Sequence, residues 1–173
     1  GSDTINGGSD SDTINWAVGD GADVSVIGGS GADAYIIFGT SANESTVVTR
    51  SGADVNVNYA GETNTLNTFE ALIIKAEGGA DTFTLSDLAP SSLTSIEIDL
   101  GSGSNDAVTI EGSNAVNNLS LSSSGGSLSV TEDNSIDYNI LSSTAADLLT
   151  INVLGGNDII DASGVTSQLM TFR

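Results

Sequence analysis

The sequence predicts an all-β chain folded as a parallel β-solenoid, of the β-roll or β-helix kind. Three observations predict it. Apolar residues recur at every second position in short runs, as at Ile96, Ile98 and Leu100, at Leu119 and Leu121, and at Leu149, Ile151 and Val153, which is the period of a strand with one buried face. The runs are rich in Val, Ile and Thr and are bounded by Gly, Asn, Asp and Ser, the residues of pleated strands and of turns respectively. Short phrases also repeat along the chain, which a stack of coils requires and a sandwich of antiparallel strands, the competing arrangement, does not. No stretch carries a helical period; residues 144–149 have room for one turn.

Taken in order, the first 38 residues read as about four copies of one nine-residue phrase. GSDTIN (1–6) returns within SDSDTIN (9–15), setting Asp3 and Asp12 nine residues apart, and VGDGADVSV (18–26) and GGSGADAYI (28–36) carry Asp23 and Asp33 at equivalent points. A six-residue turn and a three-residue strand per phrase make one coil from two phrases. Alternate aspartates then share an edge, Asp3 stacking on Asp23 and Asp12 on Asp33. Residues 39–173 continue as a wider solenoid built from a unit of about 75 residues, the first spanning 39–111 and the second 112–173. GTSANESTVVTRSGADVNV (39–57) aligns with GSNAVNNLSLSSSGGSLSV (112–130), and LIIKAEGGADTFTLSDL (72–88) with LTINVLGGNDIIDASGV (149–165). SSLTSIEID (91–99) follows the first block and SQLMTFR (167–173) the second, so the chain is expected to stop part-way through a unit, as a piece of something longer. Gly28-Gly29, Gly78-Gly79, Gly101-Ser102 and Gly155-Gly156 mark expected corners.

Composition narrows the function. The chain has 38% apolar residues, enough for a core, and 23 acids against only Arg50, Lys75 and Arg173, a formal charge of −20. A field of that sign repels nucleic acid and anionic lipid and gathers cations. No apolar run approaches the roughly 20 residues of a membrane span. With no His and no Cys, a Ser-His-Asp triad and thiol chemistry are excluded, and paired carboxylates identify nothing where acids are everywhere; no enzyme is expected. Like carboxylates stacked about 4.8 Å apart repel by roughly 1 kcal/mol in water, and more when desolvated. A hard cation taking about six to eight oxygens reverses that sign. Ca²⁺ is therefore the expected ligand. The glycines curl each turn so that carbonyls point inward, the aspartate closes the site, and Ile14 or Tyr35 anchors the strand that follows.

GGSGADAYI matches the GGxGxDxUx nonapeptide of RTX, or hemolysin-type calcium-binding, proteins at every specified position, with Tyr35 as the large apolar residue. GGSDSDTIN (7–15) matches except for Asp10 in place of the fourth-position glycine; VGDGADVSV has Val18 for the first glycine and Ser25 for the apolar anchor. The N-terminal segment thus resembles the RTX family. The resemblance implies a calcium-dependent parallel β-roll, exported unfolded and folded by extracellular calcium, with metal positions at Asp3, Gly8, Asp10, Asp12, Gly19, Asp20, Gly21, Asp23, Gly29, Gly31 and Asp33. Two departures stand out: the same-edge aspartates are 20 and 21 residues apart, wider than two nonapeptides, and the roll-like part is about two coils long.

Asp106, in GSGSNDAVT (101–109), keeps the register with Ser102 and Ser104 replacing glycines, and joins the candidate metal residues. Asp81 and Asp158 sit too close behind their glycines, in GGADTFT and GGNDIID, to wrap an ion, and read as Asx-type corners. Backbone capping is the competing structural role at Asp12, Asp23 and Asp33 as well. The longer units resemble repeats of very large secreted bacterial surface proteins and adhesins. The expected function is a calcium-binding extracellular structural module, secreted or held at the cell surface, building a fibre, filament, surface layer or giant adhesin. Its exposed end strands invite self-association, end to end or lateral. The alternatives are a carbohydrate- or surface-binding module, with Trp16 as a stacking platform rather than a core residue, and a polysaccharide-modifying enzyme or its accessory calcium module.

Overall fold

The computed structural model describes all residues except 133–135 and 168–169, so Gln168 and Leu169 of the SQLMTFR phrase lie outside the described residues. The chain is all-β. It begins with β1 (Thr4–Ser9), β2 (Thr13–Ala17), β3 (Ser25–Ser30) and β4 (Ala34–Phe38), continues through β5 (Ser45–Ser51), β6 (Asp54–Tyr59) and β7 (Glu62–Asn67), then β8 (Ala71–Lys75), β9 (Thr82–Leu85), β10 (Ser95–Asp99) and β11 (Ala107–Glu111). A second run, β12 (Asn118–Ser124), β13 (Ser127–Glu132) and β14 (Asp137–Leu141), precedes β15 (Leu148–Asn152), β16 (Ile159–Gly164) and β17 (Thr171–Phe172). No helix among the described residues is long and apolar enough to cross a membrane.

The strands form two sheets, of nine strands in the order β1-β3-β7-β6-β5-β9-β11-β15-β17 and of eight in the order β2-β4-β8-β10-β14-β13-β12-β16. Apart from two three-stranded runs, consecutive strands alternate between the sheets, and same-sheet neighbours pair in parallel: β1 with β3, β2 with β4, β4 with β8, β8 with β10, β9 with β11. The expected stacking of Asp12 on Asp33 follows from the register, in which Thr13 pairs with Ala34 and Ile14 with Tyr35.

Both sheets are mixed, where the sequence reading expects parallel pairing only. β5-β6-β7 and β12-β13-β14 are antiparallel meanders. The reason lies in their turns. Ala60-Gly61 links Tyr59 to its partner Glu62, and Gly125-Gly126 links Ser124 to Ser127; both central residues of each turn have positive φ, at 51° and 88° and at 61° and 89°. That is a type I′ turn, whose twist matches the strands it joins and folds them back on each other. Gly61 and the Gly125-Gly126 pair are thus hairpin tips.

The aligned blocks prove equivalent, in an unexpected place. β5-β6 and β12-β13, which the blocks 39–57 and 112–130 cover but for the last two residues of each, are matching hairpins, yet the first lies in the nine-stranded sheet and the second in the eight-stranded sheet. Five crossings separate β7 from the corresponding β14 counted by sheet visits β8, β9, β10, β11 and the second meander. An odd number of crossings returns the unit to the opposite sheet.

The sheets share one core. Inward residues include Tyr35 and Ile37 on β4, Leu72 and Ile74 on β8, Phe83 and Leu85 on β9, Ile96 and Ile98 on β10, all fully buried. Tyr35 meets Phe69 edge-on with centroids 5.6 Å apart, and Trp16 meets Tyr59 likewise at 6.2 Å. Such pairs each add about 0.5–1.5 kcal/mol beyond area burial. Trp16 is thus a core residue, its indole N–H donating to the Gly21 carbonyl at 2.8 Å, and offers no stacking face to a sugar.

Candidate functional site

An acidic or amide residue stands immediately before most strands that enter a sheet: Asp3, Asp12, Asp33, Glu44, Glu70, Asp81, Asp106, Asn117, Asp147 and Asp158. Each sits two positions ahead of a residue whose side chain faces the core, for example Asp33 ahead of Tyr35, Asp81 ahead of Phe83 and Asp106 ahead of Val108. With a side-chain period of two, the entry residue shares the inward face. Its carboxylate is carried to the end of the core, away from water, and an enclosed carboxylate must find donors.

The donors are backbone N–H groups of the neighbouring rung. Asp3 N–H donates to Asp23 Oδ1 (3.1 Å), Asp12 N–H to Asp33 Oδ1 (2.7 Å), Asp23 N–H to Asn64 Oδ1 (2.8 Å) and Asp33 N–H to Glu70 Oε2 (2.7 Å). Further along, Glu44 N–H donates to Asp81 Oδ1 (2.7 Å), Asp81 N–H to Asp106 Oδ1 (2.7 Å), Asp106 N–H to Asp147 Oδ1 (2.9 Å) and Asn117 N–H to Asp158 Oδ1 (2.9 Å). In every case the donor lies on the rung nearer β1 and β2, the acceptor on the rung nearer β16 and β17. The result is a set of one-directional ladders whose bonds, apart from the one to the neutral Asn64 amide, are charge-assisted, a stronger class than neutral pairs.

The candidates from the nonapeptide phrases divide accordingly. Asp3 and Asp23 lie in the ladder entering the nine-stranded sheet, Asp12 and Asp33 in the ladder entering the eight-stranded sheet. Asp106 lies much farther along the first of these sheets, between Asp81 and Asp147. Asp10 and Asp20 stand outside both ladders on exposed turns; Asp20 Oδ2 accepts from Ala17 N–H at 3.0 Å, closing its own turn. Gly8, Gly19, Gly21, Gly29 and Gly31 all adopt positive φ. Gly19 N–H is held by Glu62 at 3.0 Å, and the Gly21 carbonyl by Trp16.

The first glycine of each phrase has a separate cause. A Cβ on Gly7 would lie 2.5 Å from the Gly28 carbonyl oxygen and 2.7 Å from Asp12 Oδ2. A Cβ on Gly28 would meet the Thr68 carbonyl and lie 2.9 Å from Asp33 Oδ2. The aspartate folds back over its own glycine while the next rung presses from above, so only a residue without a side chain fits. Asp12 Oδ2 and Asp33 Oδ2 are left enclosed with no hydrogen-bond partner.

The column Glu44, Asp81, Asp106 and Asp147 is the most enclosed, and sequence reasoning missed most of it. All four are buried, Asp81 and Asp147 completely. Glu44 is held by the Tyr59 hydroxyl at 3.3 Å and by the Thr40 hydroxyl; Asp147 Oδ2 takes the N–H (2.7 Å) and hydroxyl (2.9 Å) of Thr144. Asp81 Oδ2 has no partner. Burial pushes the Asp81 carboxyl from 3.8 up to about 6, opposed by the Glu44 N–H and reinforced by the Glu44 and Asp106 charges. Asp106 is raised too, by burial first and by Asp147, against the pull of the Asp81 N–H. Asp81 and Asp158, read from spacing as Asx corners, are ladder members. Glu70, Asn117 and Asp147 each stand two residues before the first inward apolar residue of their strand, which is the signal that finds them; Glu44 escapes it, because the inward residue two places on is Thr46.

Comparison with family models, with curated proteins and with solved structures finds no match. The likeness to RTX repeats therefore rests on the phrases between residues 7 and 36. Among the described residues no group of three or more acids is gathered as a metal centre. What fits a cation at these corners is narrower: the partnerless Oδ2 atoms of Asp12 and Asp33, with the Gly28 and Thr68 carbonyls close by.

Proposed function

We propose that this chain is a calcium-binding extracellular structural repeat module, a building block of a surface fibre, filament, surface layer or adhesin-type protein, and not an enzyme. Its rungs are read as a β-roll-like parallel solenoid into which two antiparallel meanders are set. The observation that carries the reading is the use made of the acids: at successive strand entries the carboxylates bind the backbone of the adjoining rung, which is work of construction. Residues spent on joining one repeat to the next suit a load-bearing stack.

Calcium belongs to the same reading through the complete nonapeptide GGSGADAYI, the charge of −20 and the two enclosed oxygens without donors. Asp12 and Asp33 would hold the ion, with main-chain carbonyls of the glycine corners and water completing its shell; the ion would supply charge neutralisation, lessening the repulsion between stacked carboxylates. Since metal binding is then also folding free energy, added calcium should raise the melting temperature of the chain by circular dichroism and EDTA should reverse it. Asp33→Asn, which keeps an acceptor for Asp12 N–H, should lose most of that rise, while the exposed Asp161→Ala keeps it. A melting temperature indifferent to calcium and chelator overturns the metal assignment.

A further inference from the structure

Ser45 pairs with Thr82, so the residues just ahead of them, Glu44 and Asp81, stand side by side at the entry to β5 and β9. Both are buried. The Glu44 carboxylate is fixed in place by the Thr40 and Tyr59 hydroxyls, while Asp81 spends Oδ1 on the Glu44 N–H and leaves Oδ2 enclosed with no partner. A neutral oxygen is stranded beside them. Thr46, two residues past Glu44 on the same inward face and 1% exposed, has no partner for its hydroxyl. Burial first, and then the charges of Glu44, Asp81 and Glu77, push the Tyr59 hydroxyl up, which sets these acids around the tip of that ring. The basic groups are engaged elsewhere: Arg50 donates to the Gly52 carbonyl and Lys75 lies over the Phe38 ring. Buried carboxylates are paired, coordinate a metal or give up their charge.

The second long unit carries the same pocket with its charge on a different residue. Continued two residues further, the alignment of 39–57 on 112–130 sets Thr40 on Ser113, Glu44 on Asn117 and Tyr59 on Glu132. The strands agree, since Tyr59 pairs with Thr46 and Glu132 with Leu119, the residue aligned with Thr46. Asn117 donates its side-chain N–H to Glu132 and to Ser113, where Tyr59 and Thr40 donate to Glu44. Asp158 Oδ1 accepts from the Asn117 N–H as Asp81 Oδ1 does from the Glu44 N–H. Asn117 Oδ1 is again enclosed without a partner. The glutamate has moved to the facing strand, yet each pocket keeps one Glu, one Asp and a stranded neutral oxygen. Neither glutamate joins one rung to the next, a task that Asp81 and Asp158 already perform; their bonds stay within the meander and the loop leading into it. What is retained is the charge.

We propose that each long unit holds one Ca²⁺ at the entry to its meander, between Glu44 and Asp81 in the first and between Glu132 and Asp158 in the second, with the stranded oxygens of Thr46 and Asn117 as neutral ligands. The donors are all oxygen, and two carboxylates balance a divalent ion. Main-chain carbonyls and water complete the roughly six to eight ligands that Ca²⁺ accepts in irregular geometry; Mg²⁺, which demands a near-ideal octahedron and keeps several waters, suits an enclosed entry less well. These residues lie outside the nonapeptide phrases, and the sites stand or fall without them.

The test counts calcium ions bound per 173-residue chain by equilibrium dialysis. Glu44→Gln and Glu132→Gln keep side-chain shape and an acceptor oxygen, and each should bind one ion fewer than the wild type; circular dichroism checks that each retains its β spectrum, and if Glu44→Gln does not, Asp81→Asn takes its place. Asp33→Asn should retain both of these ions, and whatever rise in melting temperature survives in that variant is their share. A second measurement has a sign. In EDTA Asp81→Asn should melt at or above the wild type, because a partnerless carboxylate has been discharged, whereas in calcium it should melt below, because an ion has been lost. Either glutamine variant binding the wild-type number of ions overturns the inference, as does Asp81→Asn keeping the same standing relative to wild type in both buffers. Ions lost in Asp33→Asn alone leave the nonapeptide reading intact and sink this one; ions lost in the two glutamine variants but not in Asp33→Asn do the reverse.

Discussion

Asp81 shows how little of an aspartate's role follows from its being an aspartate. Its Oδ1 takes the Glu44 N–H at 2.7 Å and its own N–H is spent on Asp106, while Oδ2 is enclosed with nothing to receive. A carboxylate so placed bears a desolvation cost that one good bond offsets in part. Asp81→Asn keeps the acceptor, removes the charge between Glu44 and Asp106, and is expected to leave stability at neutral pH unchanged or improved. Asp81→Ala strands the buried Glu44 N–H and should lose about 1–3 kcal/mol. Urea midpoints for the two variants decide it; equal losses would show that the charge itself is what the rung needs.

Along a column the carboxylates act together, and their effect on folding has a sign. Asp81 is raised from 3.8 to about 6 and Asp106 is raised beside it. A carboxyl that titrates higher folded than unfolded binds its proton more tightly in the folded state. This part of the stability is therefore largest below the unfolded value near 3.8 and is lost as pH rises through about 6. The groups facing Asp81 are Glu44, Asp106 and, through Glu44, the Tyr59 hydroxyl; no basic side chain is among them. Urea midpoints for the wild type should fall between pH 5 and pH 7.5, with a shallower fall for Asp81→Asn. A midpoint that rises over this interval would mean that the column is not the dominant titrating element.

In the molecule as a whole, the meanders tie together strands that are distant along the chain. A plain array of coils touches only nearest neighbours and can come apart unit by unit. Here the chain leaves β4, runs ahead to β5, and returns through β6 to set β7 against β3, while β9 later pairs with β5. Residues 1–38, expected from their phrases to form a nonapeptide segment continuous with the wider part, supply strands to both sheets, and Trp16 packs edge-on against Tyr59 of the first meander. Unfolding of this end should therefore be coupled to the rest. Trp16 fluorescence and far-ultraviolet circular dichroism should report one urea midpoint. Two separated midpoints would show that the nonapeptide segment melts independently.

Alternation of apolar residues marked out the strands, and the nine-residue phrases paired Asp3 with Asp23 and Asp12 with Asp33 as the rungs do. Those features are local: the period of a pleated strand and the spacing of the phrases are both written in consecutive residues. The doubled glycines were ambiguous, because Gly125-Gly126 at a hairpin tip and Gly28-Gly29 along a strand look alike until the pairing of the flanking strands is known. Nor could spacing show whether a turn aspartate faces an ion or a neighbour's N–H, since Asp81 and Asp106 follow different phrases yet hold adjoining places in one ladder. Strand period and phrase spacing are properties of the chain read along its length. Sheet assignment, the reversal within each meander and the partner of each carboxylate depend on which distant segment lies alongside, and only the packed structure sets that.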